Sequence, residues 1–406
     1  MSDERLEIAF VVQRYGEGIT GGSESLARAV AEQLAGEYRI TVFTSCARDY
    51  VTWRNELPEG LERLGGVDVR RFPSEGERDL AAFNAFAEPL YGLERVEGPE
   101  SGQGRSRADE LEFLRRQGPE VPRLVEALRA EKDRFAAVVF LTYLYYPTYW
   151  GLAAAPERSA LVPTTHDEPP LRFSIYRAVF ELPRAIGFLT RAEEALVRRR
   201  FDVGDRHTVL AGMGVDVPAA PDVSAFRARH RLERPYAIYA GRIDSGKGCA
   251  EMLAHHERYR LEHAEPLDLV LIGRLAMAEP RQECVRYLGF LPEPEKAAAL
   301  AGARAVVCPS PFESLSIVLL EALALGTPGL VNARSEVLKE HCLRSGASLF
   351  YENADEYAEA LGVLATDDSL HRALAASGRR YVEAEYRWDV VLDRWRELIR
   401  AAAGVS

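Results

Sequence analysis

Short apolar runs alternate with amphipathic stretches along the whole chain. Residues 6–12 (LEIAFVV), 40–45 (ITVFTS), 67–73 (VDVRRFP), 135–141 (FAAVVFL), 161–167 (LVPTTHD) and 185–191 (AIGFLTR) read as strands in the first half. Residues 235–241, 267–273, 285–291, 303–310 and 328–334 read as strands in the second half. The first helix is predicted over 23–36, with Ser23 as N-cap, Leu26, Ala27, Val30, Ala31 and Leu34 on one face, and Gly36 as the stop. The tail 351–406 reads as helical. Strand–helix alternation predicts an α/β chain built on parallel sheets with helices on both faces. A length of 406 residues exceeds what one hydrophobic core usually spans. The Gly/Pro-punctuated segment 209–218 is the expected linker, dividing the chain into 1–212 and 213–383, with 384–406 returning to the first domain. In such sheets ligands bind at the carboxyl ends of strands.

Two stretches depart from the pattern. Residues 74–134 are less regular, and 96–110 (VEGPESGQGRSRADE) is expected to be an exposed loop. Residues 135–155 carry no charge and are long enough to span a bilayer. Pro147 in the middle and the Val, Phe and Tyr content favour a buried strand, a turn and a helix start instead.

Composition narrows the function. The net charge of −11 argues against a nucleic-acid partner, which needs a basic surface. Five scattered cysteines without a CxxC pair argue against structural zinc and fit a reducing compartment. The acidic start MSDERLEIAFVV does not read as a signal peptide. Nothing marks a membrane anchor, so the chain is expected to be cytoplasmic with at most peripheral membrane contact; the arginines at 198–200 read as a solvated helix face.

Four constellations could carry chemistry. Gly21-Gly22-Ser23-Glu24 lies between a strand and a helix, where glycines admit a close ligand and exposed N–H groups attract anions. It is not a dinucleotide fingerprint. Gly241-Arg242-Ile243-Asp244-Ser245-Gly246-Lys247-Gly248 follows the strand YAIYA. It matches the GxxxxGK of a P-loop, but Gly248 stands where a Mg²⁺-holding hydroxyl belongs. What remains is an Arg and a Lys able to neutralise a pyrophosphate. Lysine is scarce here, four among 51 basic residues, so its use at 247 suggests a need for a compact ammonium. In PSPFESLSIVLLEALALGTP (309–328), Glu313 and Glu321 stand eight apart. The helix SIVLLEALAL is apolar nearly all round, so Glu321 should be buried with no helical ion-pair partner. A buried carboxylate needs a polar partner, and a ligand with two hydroxyls suits it. Finally, His166 follows a strand in Thr164-Thr165-His166-Asp167, where it could bond substrate or move a proton. His255 and His256 read as surface residues of a helix.

In their shared order and spacing these residues resemble the retaining glycosyltransferases of family 4, most closely over 235–335. Glu313 and Glu321 match the family's E-x7-E signature, Arg242 and Lys247 its cation pair, His166 its histidine after an N-domain strand, and Gly21-Gly22 its early glycine loop. The resemblance implies the GT-B fold: two facing Rossmann-like, doubly wound domains, with a C-terminal helix crossing back near Tyr386-Arg387-Trp388. It implies a nucleotide diphosphate sugar, UDP- or GDP-linked, as co-substrate, with no metal or other cofactor. Arg242 and Lys247 would hold the diphosphate, Glu321 the ribose and Glu313 the sugar hydroxyls. The backbone around Ser314, Leu315, Ser316 and Ile317 would meet sugar and phosphate, Tyr287 and Phe290 would line the base, and His166 would sit at the reaction centre. The acceptor would be a glycan, a lipid-linked sugar or a small molecule. Ser314 and Ser316 stand where the family usually has glycines, and 329–341 departs from its commoner run. A P-loop-like NTPase and a non-catalytic sugar-nucleotide sensor on the same fold are the alternative readings.

Overall fold

The computed structural model describes residues 5–19, 21–93 and 104–405. The acidic residues 1–4, and 96–103 of the expected loop, lie outside that range. The chain divides into two compact units, Met1–Gly212 with Leu392–Ser406, and Met213–Val391.

The first unit holds an eight-stranded sheet: β1 (Glu7–Val11), β2 (Arg39–Ser45), β3 (Gly60–Leu64), β4 (Val67–Phe72), β5 (Ala137–Leu141), β6 (Ser159–Val162), β7 (Ala185–Phe188) and β8 (His207–Leu210), ordered β3-β4-β2-β1-β5-β6-β7-β8. Among these strands only β3 runs antiparallel, at the edge beside β4. Its helices are α1 (Gly22–Leu34), α2 (Leu80–Tyr91), α3 (Arg107–Gln117), α4 (Pro122–Glu131), α5 (Tyr146–Leu152), α6 (Tyr176–Glu181) and α7 (Arg191–Arg200). Strand order reverses between β1 and β5, so their carboxyl ends open the crevice where such sheets bind ligands.

The second unit holds β9 (Tyr236–Ala240), β10 (Asp268–Ile272), β11 (Val285–Tyr287), β12 (Ala305–Cys308), β13 (Gly329–Asn332) and β14 (Ser348–Tyr351). All pair in parallel, in the order β11-β10-β9-β12-β13-β14. This is the six-strand Rossmann order, with its switch point between β9 and β12. Helices α8 (Val223–His230), α9 (Cys249–Glu262), α10 (Glu293–Ala301), α11 (Ile317–Leu325), α12 (Glu336–Ser345), α13 (Ala354–Thr366) and α14 (Asp368–Glu385) surround the sheet. A last helix, α15 (Trp388–Ala403), runs into the first unit. There Trp395 stacks on Phe10 and donates its indole N–H to the Gly212 carbonyl at 3.1 Å, and Arg396 pairs with Glu37.

Several sequence expectations need correction. The described residues of the 74–134 stretch are mostly helical, carrying α2, α3 and α4. The expected exposed loop fails at its described end: Ser106 caps α3, and Arg105 and Glu110 form a buried pair at 2.8 Å. Glu110 also accepts from Ser174 Oγ and the Ile175 N–H, so it ties the helical insert to the segment before α6. The uncharged 135–155 run splits into β5 and α5, with Pro147 inside the first turn of α5. No helix among the described residues is long and apolar enough to cross a membrane. Helix α1 is capped by Gly21 rather than Ser23. The strands β3, β8 and β14, which are partly exposed, were not read from the sequence.

Candidate functional site

The site residues expected from sequence fall into two groups, one in each unit. In the second unit β9 and β12 pair only through Ala237 and Ile238, and beyond that point each feeds a loop. The β9 loop carries Arg242 and Lys247; the β12 loop carries Glu313 to Ser316. Two close approaches hold the β9 loop, one to the β12 loop and one to the end of β10. Gly248 caps α9 at φ +74°, and a Cβ there would lie 2.4 Å from the Pro309 carbonyl oxygen. Gly273, at φ +127°, sits where a Cβ would lie 1.9 Å from the Gly241 carbonyl oxygen. The first contact also decides against a P-loop. The Ser or Thr required after the lysine has no room for its own Cβ.

Within the β9 loop Asp244 pairs with Arg242 and accepts the Lys247 N–H at 2.8 Å, which fixes the turn between the two cations. Lys247 Nζ lies 2.8 Å from Glu313 Oε1, joining the two loops through a half-buried ion pair. Ser316, at φ +63°, is the N-cap of α11 in a left-handed conformation that favours glycine. The first turn of α11 therefore starts from a strained residue, with its N–H groups toward the loop end of the helix.

Glu321 is mostly rather than fully buried on α11, and a partner comes from another helix. Lys296 on α10 places Nζ 2.9 Å from Glu321 Oε1 and 2.7 Å from Glu293 Oε2. The Glu321 Oε2 atom is buried without a hydrogen-bond partner among the described residues. Burial raises the Glu321 carboxyl above its ordinary value, and Lys296 opposes that shift. One oxygen is thus held by an ammonium, and the other can accept hydrogen bonds. Lys296 was missed from sequence, although it is the second of four lysines to fall at this site. Tyr287 donates its hydroxyl to the Gly273 carbonyl at 3.1 Å, and Phe290 stands 69% exposed.

The first-unit group lines the β1–β5 crevice and the neighbouring end of β6. Gly21 packs so tightly that a Cβ would lie 2.3 Å from Glu24 Oε2. Glu24 is buried, pairs with Arg14 at 2.5 Å and accepts from Ser23 Oγ at 2.9 Å. The start of α1, read from sequence as an anion-attracting turn, thus holds the chain's own carboxylate. Gly22 has open space around it. His166 Nε2 lies 3.3 Å from Glu168 Oε2, and Glu168 Oε1 accepts the Tyr143 hydroxyl at 2.7 Å. The strand ends beneath are strained: Thr142 and Thr164 adopt φ of +70° and +52°, and their hydroxyls lie 3.3 Å apart. Strain of this kind persists only where surrounding contacts over-determine the backbone. Here one contact is Glu193 on α7, which accepts the Thr165 N–H at 2.5 Å, the Thr165 hydroxyl at 3.1 Å and the Leu189 N–H at 2.6 Å. Burial raises its pKa to about 7, against the pull of those bonds.

His256 is not a surface residue. It is buried, with Nε2 3.1 Å from the Leu267 carbonyl and Nδ1 3.3 Å from the Tyr357 hydroxyl. Among the described residues no group of three or more His, Cys, Asp or Glu is placed to hold a metal ion.

Residues 222–381, which cover the site of the second unit, match the family model of the glycosyl transferases group 1. Across the whole chain the fold is that of the GT-B proteins. Sucrose-phosphate synthase from Thermosynechococcus elongatus superposes with a TM-score of 0.71 over 99% of this chain and 100% of its own, at 19% identity. The Anabaena HepE protein, solved in complex with UDP and glucose, gives 0.69 over 98% and 100%, at 12% identity. Among curated relatives, the alpha-maltose-1-phosphate synthase of Mycolicibacterium smegmatis is 28% identical over 221 residues, 48% of this chain and 52% of that protein. The chain spans about half the length of the curated relatives it matches.

Proposed function

We propose that this chain is a retaining, metal-independent glycosyltransferase that moves a hexose from a UDP- or GDP-sugar to a glycan, a lipid-linked sugar or a small-molecule acceptor. One observation carries the reading furthest. At the β9–β12 switch point a cation pair, Arg242 and Lys247, is followed by a mostly buried glutamate, Glu321, with one oxygen held and the other buried without a partner among the described residues. A diphosphate needs the first feature and a ribose diol the second. The group 1 family match over 222–381 and the UDP complex of a protein with the same fold support it.

Cleavage of the sugar–phosphate bond builds negative charge on the diphosphate and positive charge on the sugar carbon. Arg242 and Lys247 stabilise the diphosphate from fixed positions, because Asp244 already holds the turn that presents them. Lys247 exchanges Glu313 for phosphate oxygens as the donor binds, which frees Glu313 for sugar hydroxyls. The N–H groups around Ser314, Leu315, Ser316 and Ile317 add helix-start donors to the same anion. Tyr287 and Phe290 border the base. Gly21, Gly22 and His166, in the first unit, carry over from the family resemblance alone as contacts of the donor's sugar.

Attack from the same face as the departing phosphate retains configuration, and that phosphate takes the acceptor proton. This differs from the two-carboxylate route of retaining hydrolases, so neither Glu313 nor Glu321 serves as nucleophile. The five unpaired cysteines, all buried, fit a reducing, cytoplasmic setting. The test is turnover of UDP- and GDP-hexoses against a panel of glycan and sugar-phosphate acceptors. Wild type should release nucleoside diphosphate, and Lys247→Met should lower the rate by about 10²- to 10³-fold, as for other lost transition-state donors. An active Lys247→Met enzyme would overturn the assignment.

A further inference from the structure

Beneath the Glu313–Ser316 loop lies a buried histidine that no part of the proposed chemistry uses. His341 on α12 is fully buried, and both ring nitrogens have partners. Nε2 lies 2.8 Å from the Leu315 carbonyl oxygen, and Nδ1 lies 3.0 Å from the Tyr381 hydroxyl on α14. A carbonyl only accepts, so Nε2 carries the proton, and Nδ1 accepts from Tyr381. Tyr381 Oη in turn lies 3.3 Å from Tyr386 Oη. The Tyr386 carbonyl accepts the Val215 N–H at 2.9 Å, at the segments where the chain enters and leaves this unit. Burial pushes the His341 ring down to about 4, so it stays neutral and keeps one tautomer across the working range of an enzyme.

The bond to Leu315 has a consequence for its neighbour. The peptide joining Leu315 to Ser316 is planar, with C=O and N–H pointing opposite ways. Holding the Leu315 oxygen inward therefore turns the Ser316 N–H outward. It also fixes the plane from which Ser316 enters its left-handed conformation at φ +63°. A serine carries strain there that a glycine would not, and something must hold it.

We infer that His341, braced by Tyr381, is a positioning residue that sets the Leu315–Ser316 peptide and so aims the loop's N–H groups at the donor diphosphate. The inference rests on the donor-site reading above. It assigns a function to a residue outside the motif set and one step behind the ligand.

Two variants separate positioning from packing. In His341→Gln the introduced amide can bring an N–H to the place of Nε2, whereas in His341→Asn the shorter side chain reaches only the place of Nδ1. Calorimetric titration of UDP and GDP into wild type, His341→Asn and His341→Gln, each checked for folding by circular dichroism, reads the difference. His341→Asn should weaken the preferred nucleotide by about tenfold, the scale of one misdirected charge-assisted hydrogen bond, and His341→Gln should recover most of that loss. Equal affinity in wild type and His341→Asn, or equal losses in both variants, would overturn the inference. Failure of wild type to bind either nucleotide would overturn the donor-site reading itself. If His341→Asn does not fold, Tyr381→Phe removes the brace alone. It should weaken binding severalfold, and unchanged affinity there would overturn the inference as well.

Discussion

Replacement of Lys296 by methionine tests the least expected feature of the site, the ammonium that holds one oxygen of Glu321. The pair is mostly buried, with side chains 20% and 13% exposed. Removing one partner of a fully buried pair costs about 3–5 kcal/mol, because the remaining charge is left without compensation. Partial exposure reduces that here to roughly 2–3 kcal/mol. The second contact of Lys296, to the exposed Glu293, adds little. For a unit of this size the loss corresponds to a fall of about 5–10 °C in Tm. The effect also has a sign in pH. Burial already raises the Glu321 carboxyl, with Lys296 opposing, so Lys296→Met raises it further. A carboxyl raised on folding contributes stability that is present below its unfolded value and lost as pH rises through its folded value. The gap between variant and wild type should therefore be largest near neutrality and narrow toward about pH 4.5. Scanning calorimetry of wild type, Lys296→Met, Glu321→Gln and the double variant at both pH values measures this. The double variant should regain most of the stability lost in Lys296→Met. A pH-independent gap, or a double variant no more stable than Lys296→Met, would refute the pairing argument.

Two further outcomes follow from single contacts. Gly248→Ala forces a Cβ against the Pro309 carbonyl in a left-handed backbone, so it should cost about 2 kcal/mol or more and weaken nucleotide binding together with stability. An unchanged Tm would show that the two loops are not locked there. Glu193, raised to about 7 by burial, contributes stability below about pH 4.5 that is lost as pH rises through 7, up to about 3 kcal/mol. Denaturant titrations between about pH 5 and 8.5 should show that slope in wild type and not in Glu193→Gln; identical slopes would refute it.

Much of this was legible in the chain, and the gaps have physical causes. The alternation of apolar runs and helices was enough for two parallel sheets, because strands buried on both faces need continuous apolar sequence. Helix α11 and the partial burial of Glu321 followed from a run that is apolar on nearly every side. Lys296 did not, since its place beside Glu321 depends on packing between two helices. The polar edge strand β3 lacks a buried face to betray it. The two buried histidines carried a readable signal. His256 falls on the stripe Cys249, Met252, Leu253, His256 and Tyr259, and His341 on Val337, Leu338, His341 and Cys342. Both follow helical spacing, which marks them as core positions despite their polar rings. The strained turns at Thr142 and Thr164 had no sequence signal, because non-glycine residues rarely adopt those angles, whereas the glycine usual at position 316 in the resembled family marked the third.

The central claim, that the second unit holds a nucleoside diphosphate on a cation pair and a half-satisfied glutamate, is tested most directly by binding. Calorimetric titration of UDP and GDP into wild type and Glu321→Gln, with EDTA present, is the decisive measurement. The expected result is one-site binding of one of the two by wild type, undiminished by EDTA and weakened about tenfold or more in Glu321→Gln, where an amide replaces the oxygen that accepts from the ribose. Binding that requires Mg²⁺, or equal affinity in wild type and Glu321→Gln, would contradict it.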